Sequence, residues 1–187
     1  MNRMSVISST IGAQPYRMSA AGYIRLILAG GFGDAHVELV EGELVSMAPS
    51  GTDHGRSNAD IAIDLAALYR PLGYSIYFDT IVEISGTTVR APDIAVVDRD
   101  IGERKHLLPT DIILAIEIAN TTLAEDIGRK RIDYASSGIR HYWVVDLEGR
   151  RTHCYANPQG ADYAAIQVVP FGEAVAVPAT QKAITVR

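Results

Sequence analysis

Three side chains near the middle of the chain have the types and spacing for phosphoester chemistry. Asp93 and Glu117 each sit in a short apolar run, and Lys130 follows on a segment of helical period. Two carboxylates suit a hard divalent cation, which takes oxygen donors. A nearby ammonium can orient a water or stabilise developing negative charge. Phosphodiester hydrolysis needs an attacking water, a charge clamp on the phosphate and help for the leaving alkoxide, and a Mg²⁺ ion offers all three. No cysteine–histidine cluster of the kind zinc takes is present, Cys154 being the one cysteine.

The elements that must position these groups can be read from pattern. Residues 111–118 are rich in Ile and Leu and are bounded by Pro109 and by Asn120-Thr121-Thr122, which reads as a buried strand. Alternation puts Glu117 on a face with Ile113 and Ala115, while Leu114, Ile116 and Ile118 line the other. Both faces are otherwise apolar, so an ionised Glu117 needs a metal, a cation or a water-filled cleft. In residues 123–137, Leu123, Ile127, Lys130 and Tyr134 fall on one helical stripe. An inward Lys130 would reach toward Glu117 while its stem packs on apolar surface. The competing reading is an exposed pair with Asp126 at i−4, worth a few tenths of a kcal/mol; the stripe favours the inward one. Asp93 lies in the run 88–97, after the turn signal Gly86-Thr87. Pro92 cannot donate to a ladder, so the strand bends or lies at an edge there. The apolar run 94–97 puts Asp93 on a strand rather than in a turn.

PDIAVV, then EIANTTLAEDIGRKRIDYASSGIRHYWVVDLEGRR, then CYANPQGADY resemble the PD-(D/E)XK nuclease superfamily. Within it the chain is similar to the Uma-two endonuclease family, also called domain of unknown function 820. The upstream VELVEGELVSMAPSGTDHG fits too, so the likeness runs from about Met18 to Tyr163. The resemblance implies a restriction-endonuclease-like fold, DNA as substrate and Mg²⁺, or Mn²⁺, as cofactor. Asp93, Glu117 and the Ile118 carbonyl would be the metal ligands. Lys130 would be the motif lysine, moved from its usual place two residues after the acid, where this chain has Ala119. Glu38 resembles the family's N-terminal acidic residue, and His54 a polar residue recurring near the site. Many superfamily nucleases pair to cut both strands, which makes a homodimer the expected assembly. From the residues alone, Glu38 is most simply an exposed strand residue, and His54, like Asn58 on its stripe, a helix-start or packing residue.

A chain of 187 residues, 48% hydrophobic and 21% charged, is long and apolar enough for a globular core and is not a disordered segment. A small-residue-rich arm is expected over 1–17 and a single domain over 18–187. One cysteine excludes an internal disulfide and fits a reducing compartment. With no apolar run of transmembrane length and no clear secretory signal, a cytoplasmic protein with no membrane partner is expected. The net charge of −5 is unhelpful to a nucleic-acid enzyme, because phosphate neutralisation by Lys and Arg supplies most non-specific affinity. Arg129, Lys130, Arg131, Arg140, Arg150 and Arg151 could form a local basic patch or a solvated face. The acidic balance and the missing ExK spacing support an alternative, a non-catalytic nucleic-acid-binding or scaffold protein retaining the nuclease fold.

The remaining elements are a helix over 18–28 with Ser19 as N-cap and Tyr23, Leu26 and Ile27 as its stripe. Gly30-Gly31-Phe32-Gly33 ends it; no strand precedes this cluster and no GK[ST] follows, which argues against a phosphate loop. A hairpin turns at Glu41-Gly42 between 37–40 and 43–47. A loop over 48–55 leads into a helix over 54–69, a strand over 74–84 and a polar surface connection over 98–110. Strands follow over 141–146, with Trp143 in the core and Asp146 as a turn carboxylate, and over 151–155. A turn at 157–160 precedes closing strands over 164–169, 175–177 and 183–186. This order gives an α/β (α+β) class, with a mixed central sheet flanked by helices.

Overall fold

The computed structural model describes residues 15–47 and 51–187. Most of the expected arm, and the 48–50 part of the expected loop, lie outside the described residues. The elements are α1 (Ala20–Leu28), β1 (Val37–Val40), β2 (Glu43–Ser46), α2 (Thr52–Tyr69), β3 (Ser75–Phe78), β4 (Val82–Ser85), β5 (Thr88–Arg90), β6 (Ile94–Val97) and β7 (Ile112–Ala119). They continue with α3 (Leu123–Glu125), a π-helical turn (Asp126–Lys130), α4 (Arg131–Ser136), β8 (His141–Asp146), β9 (Arg151–Gln159), β10 (Asp162–Pro170), β11 (Ala174–Ala176) and β12 (Ala183–Thr185).

The central sheet has six strands in the order β10-β9-β8-β7-β6-β3. Only β7 and β8 run parallel; the other neighbours are antiparallel, so the sheet is mixed. A parallel pair needs a crossover, and the α3–α4 segment supplies it. One face of the sheet packs Ile113, Leu114, Ile116, Ile118 and Trp143 against Ile61 and Leu65 of α2 and against the β11–β12 hairpin. The other packs Ala115, Ala119, Tyr142, Val144 and Tyr155 against Tyr134 and Ala135 of α4. A second, four-stranded sheet, β2-β1-β5-β4, carries α1 through Tyr23, Ile24, Leu39 and Val89. Among the described residues no helix is long and apolar enough to cross a membrane.

After α2 carries the chain from the four-stranded to the six-stranded sheet, two direct strand-to-strand passages follow, and both differ from expectation. The strand expected over 74–84 is two strands in different sheets, split where Asp79 takes φ +45°. The run 88–97 is likewise β5 in one sheet and β6 in the other, parted at Pro92, which has no N–H for either ladder. Asp93 therefore sits in a bend just before β6, not on the strand. Glu117 does not share a face with Ile113: the β6–β7 register shifts between Val96 and Val97, and this bulge sends Ile113 to the α2 side. Ile112 takes the place on the Glu117 side.

Smaller differences follow from packing. Ser19 caps α1, its hydroxyl accepting from the Gly22 N–H, but the buried stripe is Ala20, Tyr23 and Ile24 rather than one through Leu26. β9 extends through the turn expected at 157–160, with Asn157 at φ +60° and the reversal falling at Gly160. Asp146 is the expected turn carboxylate, accepting from the Gly149 N–H at 2.7 Å and pairing with Arg151.

Candidate active site

At the junction of the two sheets lies a cavity of about 710 Å³. Asp93, Glu117, Ile118, Lys130, Glu38 and His54 all line it. The fold thus brings to one place all six residues put forward above as catalytic or metal-binding. Sheet switching frees Asp93 from ladder geometry. Its Oδ2 accepts from the Ile118 N–H at 2.6 Å and lies 3.1 Å from His54 Nε2. β6 begins at Ile94, opposite Ile116, so β7 has no antiparallel neighbour beyond that point. Ile118 N–H points out of that strand edge toward Asp93, and in extended backbone the carbonyl of the same residue points the same way.

Glu117 is only 3% exposed. Its Oε2 pairs with Lys130 Nζ at 2.9 Å, and its Oε1 accepts from the Tyr134 hydroxyl at 2.8 Å. Burial pushes the Glu117 carboxyl well above the usual carboxylate range; Asp93, Asp126 and Glu38 push the same way, and Lys130 pulls it back. Lys130 is 3% exposed. Burial alone would depress its pKa, but Glu117, Glu38 and Asp126 overrule it and hold the ammonium charged. The pair with Asp126 also exists, at 3.1 Å, but in the interior rather than on the surface. One ammonium thus bridges two buried carboxylates. Asp126 is further held by the Thr122 hydroxyl at 2.6 Å. Burial raises its pKa, against Lys130. Both Asp126 and Lys130 lie on the π-helical turn, a distortion often found at functional sites.

Glu38 is not an exposed strand residue. It is 3% exposed, accepting from the Ala91 N–H at 3.0 Å and pairing with Arg90 at 2.7 Å. Arg90, 1% exposed, also pairs with Asp133 at 2.7 Å and with Glu125 at 3.2 Å. This network ties the four-stranded sheet to the helical segment that carries Lys130. His54 is likewise a site neighbour rather than a packing residue: the hydrogen bond with Asp93 raises its pKa, against burial.

Sequence reading missed Asp126, Tyr134 and Arg90 as site neighbours. Tyr134 and Lys130 sharing a stripe was the available signal for Tyr134. The arginines that could form a local basic patch or a solvated face are each engaged with a partner of their own. Arg129 pairs with Glu41 and Asp133, Arg131 with Asp162, Arg140 with Asp98 and Arg151 with Asp146, while Arg150 lies over Phe171.

Among the described residues no three His, Cys, Asp or Glu side chains stand ready as a metal cage. What the cavity presents is an oxygen donor set, the Asp93 and Glu117 carboxylates beside the Ile118 backbone. Mg²⁺ characteristically takes one or two carboxylates and keeps several waters, so this donor set fits it.

The family model described as "Uma2: Putative restriction endonuclease" matches residues 23–187. The fold resembles a crystal structure described as a "putative nuclease belonging to DUF820 from Anabaena variabilis ATCC 29413". The TM-score is 0.67 at 16% sequence identity, covering 90% of this chain and 95% of that one. No curated protein matches the sequence.

Proposed function

The chain belongs to the Uma2 family, and on that premise we propose that it is a Mg²⁺-dependent endonuclease hydrolysing DNA phosphodiester bonds in this cavity. The observation that carries the reading is Glu117, a buried carboxylate on an otherwise apolar strand, lining a cavity with Asp93 and capped by Lys130. Asp93, Glu117 and the Ile118 carbonyl would hold the ion, with Mn²⁺ able to replace Mg²⁺. The bound ion would supply Lewis-acid polarisation of the phosphate and a bound water of lowered pKa.

The chain's own groups do the rest. Lys130 keeps its proton and presents a fixed positive charge where negative charge develops on the phosphate. Tyr134 positions Glu117 by occupying Oε1, leaving the carboxylate one orientation. His54 orients Asp93 through Oδ2, and as an imidazolium it competes with a cation for that oxygen. Glu38 accepts from the Ala91 N–H and holds Arg90, and through Arg90 it serves as a positioning residue for the helical segment that carries Lys130.

The test is cleavage of plasmid and oligonucleotide DNA with Mg²⁺ or Mn²⁺ against EDTA, wild type beside Asp93→Asn, Glu117→Gln and Lys130→Met. Metal-dependent cutting that falls at least about 100-fold in each variant supports the reading. Cutting that survives all three refutes this site. A second reading, a non-catalytic nucleic-acid-binding or scaffold protein retaining the fold, is favoured by Ala119, which stands where the ordinary motif has its lysine. Binding of DNA without cutting at any metal concentration would establish it.

A further inference from the structure

We propose that the cavity admits a single unpaired nucleotide, so that the substrate is single-stranded or locally melted DNA rather than intact duplex. The proposal rests on the endonuclease reading above. It starts from charge. A duplex is held chiefly through its phosphate rows by Lys and Arg. Here the cavity lining carries Asp34, Glu38, Asp79, Asp93 and Glu117 against one lysine, Lys130, which is itself paired to two carboxylates. The arginines that follow it in sequence are engaged with Glu41, Asp133, Asp162, Asp98 and Asp146. Such a rim disfavours two rows of phosphates. One phosphate, at the site where Asp93 and Glu117 converge, is the most it suits.

The remaining affinity must come from the base, and the lining has a place for it. Ile27, Phe32, Met47 and Ile81 form an apolar part of the same cavity. Its volume of about 710 Å³ lies in the range of pockets that enclose one small ligand. Phe32 is half-buried, with its ring 5.7 Å from that of Tyr23 at 33°. Tyr23 is fully buried and is held by its hydroxyl on the Val37 carbonyl, so Phe32 rests on a fixed support. The glycine cluster explains how Phe32 comes to line the cavity. Gly30 and Gly33 take φ +74° and +56°, values that side chains other than glycine's resist, and they turn the chain sharply on either side of Phe32. A Cβ on Gly31 would stand 2.3 Å from Leu26 Cδ1, so the loop can close on α1 only with glycine there. This motif, useless as a phosphate loop, builds an aromatic platform, and base–aromatic stacking is the usual means of binding single strands without reading sequence.

The experiment compares kcat/KM of the full chain with Mn²⁺ on three labelled substrates: an unstructured single strand, the matching duplex, and that duplex with a central mismatched bubble. The single strand should be cut at least about tenfold faster than the duplex, and the bubble only in its unpaired stretch. Phe32→Leu keeps the packing on Tyr23 but removes the stacking face. It should raise KM for the single strand about tenfold, with kcat and Mn²⁺ affinity unchanged, and Phe32→Trp should restore it. Equal cutting of duplex and single strand, or an unchanged KM in Phe32→Leu, would overturn the proposal. If no substrate is cut, the endonuclease reading fails. Fluorescence anisotropy with Ca²⁺ then decides the pocket's preference, and equal affinity for single strand and duplex overturns it.

Discussion

Replacing Lys130 with methionine keeps the apolar stem and removes the charge that bridges Glu117 at 2.9 Å and Asp126 at 3.1 Å. At an effective dielectric constant of about 20, each contact is worth about 5–6 kcal/mol of gross attraction. Much of that is offset, because methionine no longer carries the desolvation cost of an ammonium. Breaking a buried pair from one side typically costs about 3–5 kcal/mol, since it strands the partner charge; with two carboxylates stranded, Lys130→Met should fall in the upper half of that range at pH 8. The loss should depend on pH in a defined sense. Burial raises the Glu117 and Asp126 carboxyls above their ordinary values of 4.5 and 3.8, and without Lys130 nothing comparable pulls them back. Folded protein then binds more protons than unfolded, so stability falls as pH rises from the unfolded pKa through the raised folded one. The variant should be closest to wild type near pH 4.5 and furthest from it at pH 8. Urea unfolding followed by the single tryptophan, Trp143, 2% exposed in the core, reads this directly. Lys130→Met with Glu117→Gln should recover part of the loss. A cost below about 1 kcal/mol at pH 8, or one independent of pH, would refute the bridge.

Tyr134→Phe removes the hydroxyl donor to buried Glu117 and should cost about 1.5–3 kcal/mol, the range for a hydrogen bond to a charged group, measured by the same unfolding. Arg90→Met removes the ion-pair partner of buried Glu38 and leaves Asp133 with Arg129 alone; about 3–5 kcal/mol should be lost, and hydrogen exchange should quicken in the helical segment carrying Lys130 before the central sheet. The His54 pKa is raised by Asp93, so its stabilisation is fully present below 6.5 and lost as pH rises through the folded value. Cation affinity should therefore increase over that window as the imidazolium releases Asp93 Oδ2, and His54→Asn should flatten the dependence in calorimetric Mn²⁺ titrations.

Local pattern made the inward Lys130 and the buried Glu117 legible: helical period set one, and a carboxylate in an Ile-rich strand set the other. The exposed and inward readings of Lys130 are not exclusive: both partners are real, because Asp126 is itself buried. Arg90 could not be found this way. Its partners stand 52 and 43 residues away, and a basic residue at a strand end has no local mark of burial. The division into two sheets was hidden for a similar reason. Asp79 adopts a left-handed backbone without a glycine to announce it, so the apolar residues on either side read as one strand. The bulge at Ile113 and the π-helical turn each insert a shift of register that is fixed by packing against neighbours, not by the residues themselves.

The most direct test of the central claim is an anomalous difference map from a crystal soaked in Mn²⁺. The account predicts a peak about 2.1 Å from carboxylate oxygens of Asp93 and Glu117 and from the Ile118 carbonyl, absent in Glu117→Gln. An ordered Mn²⁺ bound elsewhere, with this cavity empty in a protein that still cuts DNA, would contradict it.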